Sequence, residues 1–298
     1  MELNSALEAL RGGAVRFPAD DVLLKVRGQD ARSWLQGQVT QDIRRLGHEG
    51  LRFCLCEPTG QILADAAVWP ASDGLWITAH RDGAEAILNR VARLVIMEDV
   101  SAEPVDLALT SIQGPRSGDV DWGPSLAFPI DRSGYGGFDI WREPRADASP
   151  PFSKLLLLDS ATAEVARIEA GVPRFGIDMG PRTLPPEMGP AFEASRVSYQ
   201  KGCYTGQEVL ARIQGRGHTN RTWVGLRLEA PVKAEDRVMF QGKDVGWVTS
   251  ACESPRFGSI AAAMLRNEAT SEGSVVTVES SGATVTSRVV ALPFQGLT

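Results

Sequence analysis

The sequence predicts an antiparallel α+β protein that ends in a small β-barrel. In residues 1–220, strand-like runs form adjacent hairpins with helical patterns between them, which is typical of an α+β fold rather than a doubly wound sheet. From residue 221 to residue 298 the helical period is absent. Short apolar runs separated by glycine and polar turns indicate a barrel or sandwich of about 75 residues there. The predicted barrel strands are residues 223–228, 237–240, 245–252, 259–264, 275–279 and 284–292.

Local patterns predict the elements of the first region. Residues 22–26 form an apolar run that predicts a strand, and residues 30–35 predict a short helix. Two apolar runs, residues 51–56 and 61–69, flank a Pro-Thr-Gly turn and predict a hairpin. Further predicted elements are strands at residues 75–78, 105–112, 137–141 and 154–158, a helix at residues 82–95 that Asp82 and Glu85 would cap, and a helix at residues 162–170.

The segment at residues 173–190 carries too many prolines and glycines for regular structure. Because it comes directly before the motif at residues 201–208, we interpret it as an ordered functional loop. A surface crossover between two domains explains the segment equally well at this stage.

The composition limits the functional classes. The chain has 298 residues, 43% of them hydrophobic, and a net charge of −6, which describes a globular protein without a general nucleic-acid-binding surface. Four cysteines are too few for a disulfide framework, and no apolar run approaches the roughly 20 residues that span a bilayer. The N-terminus lacks a targeting pattern, so we expect a reducing cytoplasm. Phosphate-loop and dinucleotide-binding fingerprints are also absent, which argues against nucleotide hydrolysis and nicotinamide chemistry.

The most informative motif is the octapeptide at residues 201–208, Lys-Gly-Cys-Tyr-Thr-Gly-Gln-Glu. Thr205 and Glu208 fit a capping box, so Cys203 would lie just outside a helix N-terminus. The helix dipole and Lys201 would both favour the thiolate of Cys203, which is the nucleophilic and metal-binding form. The alternative is a well-capped helix beside a buried structural cysteine. Arguments from the local sequence support the two interpretations equally.

The octapeptide resembles the signature of the YgfZ-type folate-binding proteins, which are relatives of the glycine-cleavage T-protein. This signature is highly specific, and other segments resemble family elements in the expected order, so the resemblance covers nearly the whole chain. Residues 35–42 resemble the end of the family's N-terminal helix, and residues 60–65 resemble the strand that carries the T-protein aspartate. The other three segments are the Gln-Gly-Pro turn at residues 112–115, a shortened Gly-Tyr-Gly segment at residues 132–140, and the Glu-Ala-Gly element at residues 167–173.

The resemblance implies a clover-leaf of two interleaved α+β lobes and a C-terminal antiparallel barrel around a central folate channel. It implies tetrahydrofolate, or one of its one-carbon derivatives, as the ligand. It further implies a role in making or repairing iron–sulfur clusters, notably in enzymes that modify tRNA. The partners would then be iron–sulfur assembly factors or client enzymes, and Cys203 would be the essential thiol.

Three residues are candidates for contacts with the folate ring. Asp65 has the setting of the T-protein carboxylate and could bond the reactive nitrogen region or assist proton transfer, unless it is an ordinary exposed strand residue. Glu169 places a negative charge near the C-terminal end of a predicted helix, where it interacts unfavourably with the helix dipole. A contact between the carboxylate and the N–H edge of a pterin would explain this position, and a solvated surface charge is the alternative. Tyr135, between glycines, could stack on the pterin or bond to it.

A basic cluster follows the octapeptide. Lys201 and Arg212 are the members that we assign to cofactor binding, because cations there could hold the glutamyl carboxylates of folate, or else a tRNA or protein partner. A solvated basic face is the commoner explanation for such a cluster. Its other members are Arg216, His218 and Arg221.

The remaining cysteines give a weak metal signal. Cys54 and Cys56 share one face of a predicted strand and could join Cys203 as soft ligands for iron or a cluster. Without further spaced ligands, ordinary packing is the better interpretation, and we predict no metal site. We interpret Cys252, in the predicted barrel, as structural.

Three functions are compatible with these observations. The first is a tetrahydrofolate-binding protein that supports iron–sulfur cluster assembly or repair, with Cys203 as its reactive thiol. The second is a tetrahydrofolate-dependent aminomethyltransferase or demethylase, for which Asp65 would be essential. The third is a non-enzymatic scaffold that responds to folate and docks a partner through the basic cluster.

Overall fold

Three β-sheets and six α-helices organise the part of the chain that the computed structural model describes, residues 2–144 and 150–294. No helix within these two ranges is long and apolar enough to cross a membrane. The helices are α1 (Leu3–Gly12), α2 (Ala31–Gln38), α3 (Arg81–Leu94), α4 (Ser160–Glu169), α5 (Pro190–Arg196) and α6 (Gln207–Arg216). The strands are β1 (Val15–Phe17), β2 (Asp21–Arg27), β3 (Leu51–Cys56), β4 (Ile62–Ala71), β5 (Gly74–His80), β6 (Ser101–Pro104), β7 (Ala108–Gln113), β8 (Leu126–Pro129), β9 (Gly137–Arg142), β10 (Arg221–Leu228), β11 (Arg237–Phe240), β12 (Lys243–Ser254), β13 (Gly258–Arg266), β14 (Val275–Ser280) and β15 (Ala283–Val290).

The first lobe is a five-stranded antiparallel sheet in the order β3-β4-β5-β2-β6. Side chains alternate between the two faces of each strand. One face packs against α2 and α3 around Leu24, Phe53 and Ile77, which are fully buried. The opposite face of β3 and β4 is left for the polar residues of the site described below.

The cap of α3 differs from the prediction. The helix begins at Arg81, and its N-cap is His80, whose ring nitrogen accepts a hydrogen bond from the Asp82 N–H. Asp82 lies in the first turn of the helix instead, where a negative charge suits the dipole. The imidazole therefore takes the role that we had assigned to a carboxylate.

The second lobe is a four-stranded sheet in the order β1-β7-β9-β8, which α1 and α4 cover. Leu7, Leu10 and Val15 form its core together with Ala166 of α4. The prediction of a strand at residues 154–158 is wrong. A 3₁₀ turn occupies Pro151–Lys154, and Leu157 then meets Arg16 in an isolated parallel bridge.

The third sheet is a closed antiparallel barrel in the order β10-β13-β12-β11-β14-β15, which confirms the predicted fold class. Inward-facing Leu226, Val238 and Val278 are fully buried in its core. Gly246 adopts a φ of +153°, and a Cβ atom there would lie 1.9 Å from the Met264 carbonyl oxygen, so close strand packing requires a glycine. The division of the chain into residues 1–220 and 221–298 stays our proposal for its domain organisation.

A buried polar network joins the barrel to the second lobe. The guanidinium of Arg167 donates to Asp178 at 2.7 Å and to the Ser250 hydroxyl at 2.8 Å. The Thr249 hydroxyl donates to the same aspartate at 2.6 Å. Because Asp178 belongs to the proline- and glycine-rich segment, this network holds that segment in place. Part of the segment is regular, since Pro185–Met188 forms a 3₁₀ turn.

Candidate functional site

A cavity of about 130 Å³ lies where the two lobes meet α4. Its apolar lining includes Phe17, Ile130 and Phe175, and its polar lining includes several arginines and carboxylates. Pro173, Arg174 and Phe175 bring the start of the proline- and glycine-rich segment into the wall, so this segment contributes to the cavity. The charged residues in the wall are Asp20, Asp21, Arg52, Asp65, Asp131, Arg132, Glu164, Arg167 and Arg174.

Asp65 faces the cavity and is bound by Arg196. On β4 it lies opposite Cys54 of β3, and Arg196 reaches it from the end of α5. The guanidinium binds both carboxylate oxygens, with Nε–Oδ1 at 3.0 Å and Nη2–Oδ2 at 3.3 Å. Burial by itself would lower the pKa of Arg196. The charge and hydrogen bonds of Asp65 have the larger combined effect, so the pKa of the guanidinium is raised. Asp65 is therefore not an ordinary exposed strand residue.

A second ion pair lies in the same wall. The Arg132 guanidinium binds Asp139, with Nε–Oδ1 at 3.1 Å, and also binds Asp21. Although burial opposes it, these two carboxylates raise the pKa of Arg132. The neighbouring Gln113 accepts the Arg132 backbone N–H at 2.8 Å, so the Gln-Gly-Pro turn and the Gly-Tyr-Gly segment support each other.

Glu169 does not line this cavity. On α4, Ala163, Glu164 and Arg167 face the cavity, and the helical rotation turns Glu169 away from it. The carboxylate is 1% exposed, accepts Arg11 Nη2 at 2.8 Å and accepts the Ser254 hydroxyl at 2.5 Å. These two partners account for an acidic residue at the end of a helix, and they also contradict the alternative of a solvated charge.

Tyr135 also lies outside the cavity wall, because it packs against the core between α1 and α4. Its hydroxyl is buried beside the guanidinium of Arg11. At the adjacent Gly134 a Cβ atom would lie 2.4 Å from Ala170 Cβ. The glycine thus allows the segment to pack on α4, rather than on a flat ligand as we expected. The structure does not bring Tyr135 and Glu169 together with Asp65.

The predicted capping box of the octapeptide is wrong. Helix α6 begins at Gln207, and its N-cap is Gly206 in the left-handed conformation, without a side-chain cap. A Cβ atom at Gly206 would lie 2.6 Å from the Glu57 carbonyl oxygen, so close packing on the β3–β4 turn selects the glycine. The Thr205 N–H donates to the Gly37 carbonyl instead. Cys203 is exposed and lies well before the start of the helix.

Lys201 is a structural anchor, which corrects its assignment to cofactor binding. Its Nζ donates to the carbonyl oxygens of Gln36, Val39 and Gln41 at 2.6, 2.5 and 2.9 Å. An ammonium has three donors, and all of them are used here. Burial lowers the pKa of Lys201 to about 8. Nζ is directed to the backbone at and after the end of α2.

The basic cluster is smaller than predicted. Arg212, Arg216 and His218 are exposed on and after α6, and Arg212 does not line the cavity, so its predicted contact with the cofactor has no support from this arrangement. Arg221 is bound to Glu187 through Nε at 2.8 Å and Nη2 at 3.1 Å. This ion pair joins the start of the barrel to the Pro185–Met188 turn.

The buried cysteines have the environment of packing residues. Cys54 and Cys56 are fully buried in an apolar cluster. Burial raises the pKa of Cys54 well above its ordinary value and that of Cys56 to about 12. No group of three or more His, Cys, Asp or Glu side chains in the two described ranges could hold a metal ion. Cys252 is partly buried between α4 and the barrel, where burial raises its pKa to about 12.

Sequence reasoning missed the arginines around Asp65. Arg196 and Arg52 stand in no motif, and Arg132, which begins the segment at residues 132–140, was given no role of its own. Arg196 and its partner Asp65 are 131 positions apart along the chain. One signal was present for Arg52. It shares a strand face with Cys54, the residue opposite Asp65, so the hairpin register places it beside that carboxylate.

The fold and the C-terminal barrel resemble those of the glycine-cleavage T-protein. Residues 221–295 match the family model of the glycine cleavage T-protein C-terminal barrel domain. The aminomethyltransferase T of the glycine cleavage system from Bartonella henselae has the same fold. Its TM-score is 0.86 at 22% identity, over 98% of this chain and 89% of that one.

Two relatives are similar to this chain over most of its length. The aminomethyltransferase of Moorella thermoacetica is 29% identical over 313 residues, which cover 91% of this chain and 83% of that protein. The tRNA-modifying protein YgfZ of Enterobacter sp. is 26% identical over 254 residues, 76% of each chain. The predicted resemblance is confirmed, since the chain is similar over most of its length to both an aminomethyltransferase and YgfZ.

Proposed function

We propose that this chain binds tetrahydrofolate, or a one-carbon derivative, in the cavity and supports the assembly or repair of iron–sulfur clusters through Cys203. The observation that carries the proposal is the position of this thiol. It is exposed on a loop that Lys201 anchors, and it does not line the cavity. A thiol in that position is accessible to a partner protein. The similarity to a protein described as tRNA-modifying supports the same reading.

The cavity residues fit a reduced pterin. Phe17, Ile130 and Phe175 offer apolar surface to a flat ring. The Asp65 carboxylate, which Arg196 holds from one side, can accept a hydrogen bond from an N–H group at the edge of the ring. When bound, tetrahydrofolate would supply the ring nitrogen that carries a one-carbon unit. The role that we assign to Asp65 is to orient that ring.

The surface around α6 would receive the partner. Arg212 and Arg216 are exposed on this helix, which follows the Cys203 loop directly. Two guanidinium groups at that position favour a partner with an acidic surface, such as an iron–sulfur assembly factor or a client enzyme. A reducing cytoplasm would keep the exposed thiol free for such a contact.

Complementation of cells that lack the chain tests this proposal. Wild-type protein and the control Cys252→Ser should restore the cluster-dependent nucleosides of tRNA, measured by mass spectrometry. Cys203→Ser should not restore them, although the purified variant should bind tetrahydrofolate with an affinity within about twofold of the wild type, because the thiol lies outside the cavity. Full restoration by Cys203→Ser would contradict the reactive-thiol proposal.

A second candidate function is one-carbon transfer to tetrahydrofolate. The placement of Asp65 in the cavity wall favours it, as does the similarity to an aminomethyltransferase. Purified protein should then form methylene-tetrahydrofolate from an aminomethyl donor, and Asp65→Asn should lower the rate by about 100-fold or more if the carboxylate takes part in proton transfer. A rate at the uncatalysed level for the wild type would exclude this function.

The scaffold hypothesis rests on the exposed arginines of α6. Charge reversal at Arg212 and Arg216 tests it better than reversal at Arg221, because Arg221 is bound to Glu187 and its loss would disturb the barrel junction. A double Arg212→Glu, Arg216→Glu variant that fails in cells while Cys203→Ser succeeds would favour a scaffold. Failure of Cys203→Ser in cells favours the reactive thiol, whether or not the arginine variant also fails.

A further inference from the structure

We propose that Arg52 binds the carboxylate of a small co-substrate that enters the cavity beside the folate ring. This inference rests on the proposed function, because it takes the ring to lie against Asp65. Arg52 would thereby determine which small molecules share the cavity with folate.

Arg52 is an unpartnered cation in the cavity wall. It lies on β3 and lines the cavity. Its Nε is completely buried and has no hydrogen-bond partner among the described residues. Its side chain also forms no ion pair with any carboxylate in residues 2–144 and 150–294. A buried ionic donor without a partner is costly, so the site is suited to an incoming anion.

The other arginines of the wall have partners. Arg132 is bound to Asp21 and Asp139, and Arg174 is bound to Glu164 at 2.6 Å. Arg167 forms the buried network described above. Several described side chains have a buried polar atom without a partner, and among them Arg52 is the one that lines the cavity. The unmatched charge therefore coincides with the space that a ligand can enter.

The neighbouring charges leave Arg52 cationic. Burial and the positive charges of Arg196 and Arg132 lower its pKa to about 10, while Asp65 and Asp21 oppose that change. A group with this pKa stays protonated at neutral pH. The geometry and the charge thus agree on an anionic ligand group.

A carboxylate matches the planar fork of a guanidinium, which can bind both carboxylate oxygens at once. The position of Arg52 separates two possible sources of that carboxylate. On β3, Arg52 is paired with Ala67 and Cys54 with Asp65, so Arg52 and Asp65 are neighbours on one face, about 7 Å apart along the strand direction. In folate the glutamyl carboxylates lie beyond the aminobenzoyl group, far from the ring. A ring beside Asp65 therefore leaves Arg52 to the carboxylate of a second, small molecule.

Ligand-observed NMR titrations with acetate and acetamide test the site, since these probes have nearly the same shape and differ in charge. Wild-type protein should bind acetate at least about tenfold more tightly than acetamide, as expected for a charge-assisted pair. Arg52→Ala should weaken acetate binding at least tenfold, and Arg52→Lys should restore part of it. The control is Arg174→Ala, which removes a partnered arginine from the same wall and should change the affinity less than twofold. Equal acetate affinity in Arg52→Ala, or equal affinity of the wild type for the two probes, would overturn the proposal.

Repeating the acetate titration with saturating tetrahydrofolate distinguishes the two possible sources of the carboxylate, a separate small molecule and the folate tail. If acetate still binds, a carboxylate and the ring occupy the cavity together, as we propose. If tetrahydrofolate displaces acetate, and 6-methyltetrahydropterin, which has the ring but no carboxylate, does not, then Arg52 binds the folate tail and the co-substrate proposal is wrong. If tetrahydrofolate does not bind at all, the proposed function fails, whereas the acetate titration still reports on Arg52 itself. Arg52→Met should in addition raise the melting temperature of ligand-free protein, and a lower value would contradict an unpaired buried charge.

Discussion

Lys201 donates from Nζ to the carbonyl oxygen of Val39 at 2.5 Å, and this bond joins the Cys203 loop to the end of helix α2. Two further carbonyls complete the cradle around the ammonium. The loop that carries the exposed thiol is therefore positioned by a residue within the octapeptide. Lys201 thus anchors the loop, and Cys203, two positions further on, is exposed.

Replacing Lys201 should destabilise the fold. Lys201→Met removes three charge-assisted hydrogen bonds and leaves carbonyl oxygens buried without a donor. The free energy of unfolding should fall by about 3 kcal/mol, as measured by urea denaturation. Lys243→Met, at an exposed lysine of the barrel, is the control and should change it by less than about 0.5 kcal/mol. A similar effect of both variants would contradict the anchor.

Gly206 should not tolerate a side chain. Gly206→Ala would place Cβ 2.6 Å from the Glu57 carbonyl oxygen at a φ of +88°. We expect a loss of about 2 kcal/mol in unfolding free energy, together with faster alkylation of Cys203 as the loop loosens. Gly202→Ala is a matched control in the same loop, because a Cβ atom there meets nothing within 4 Å. Unchanged stability of Gly206→Ala would show that the turn can move.

The four cysteines should differ sharply in reactivity. Cys203 is exposed, whereas Cys54 and Cys56 are buried and burial raises the pKa of both thiols. Native protein treated briefly with iodoacetamide at pH 8 should therefore take up about one equivalent, located at Cys203 by mass spectrometry. Cys203→Ser should abolish this uptake, and Cys252→Ser should leave it unchanged. Rapid labelling of Cys54 in native protein would contradict the packing.

Asp65 and Arg196 should be energetically coupled. Arg196→Leu leaves the carboxylate in the cavity wall without its partner and should cost about 3 kcal/mol of unfolding free energy. Asp65→Asn should cost less. The double variant should be more stable than the sum of the two single effects predicts, by about 1.5 kcal/mol or more in a double-mutant cycle. Strict additivity would indicate that the pair contributes no net interaction.

Asp42 should contribute to acid sensitivity. Its carboxylate accepts Arg44 Nε at 2.9 Å and Arg44 Nη2 at 2.8 Å, and this partner lowers the pKa of Asp42 from 3.8 to about 2. The folded-state pKa is depressed, so the stabilisation is present above pH 4 and is lost as the pH falls towards 2. Asp42→Asn should thus cost about 1 kcal/mol at pH 6, a modest value because Arg44 is largely exposed to water. The cost should shrink below pH 4 and disappear as the pH falls through 2 in urea titrations, and a cost independent of pH would contradict the ion pair.

Local sequence patterns were sufficient for most of the architecture. The hairpin of β3 and β4 and the strands of the barrel follow from apolar runs between turn residues, because side-chain alternation and turn chemistry act over a few positions. Local patterns failed where a tertiary contact replaced the expected one. His80 caps α3 in place of Asp82, and packing on Glu57 selects Gly206 as the cap of α6.

Local sequence patterns were enough to identify the order of the lobes and the barrel, the octapeptide around Cys203 and the candidate carboxylate Asp65. The surroundings of these residues depend on tertiary packing. Arg196 reaches Asp65 across 131 positions, and Arg11 meets Glu169 across 158. Such partners come from different elements, and a charge pattern contains no information about which element will pack opposite it. For the same reason, sequence patterns do not reveal that Arg52 lacks an ion-pair partner among the described residues while Arg132, Arg167 and Arg174 in the same wall have theirs.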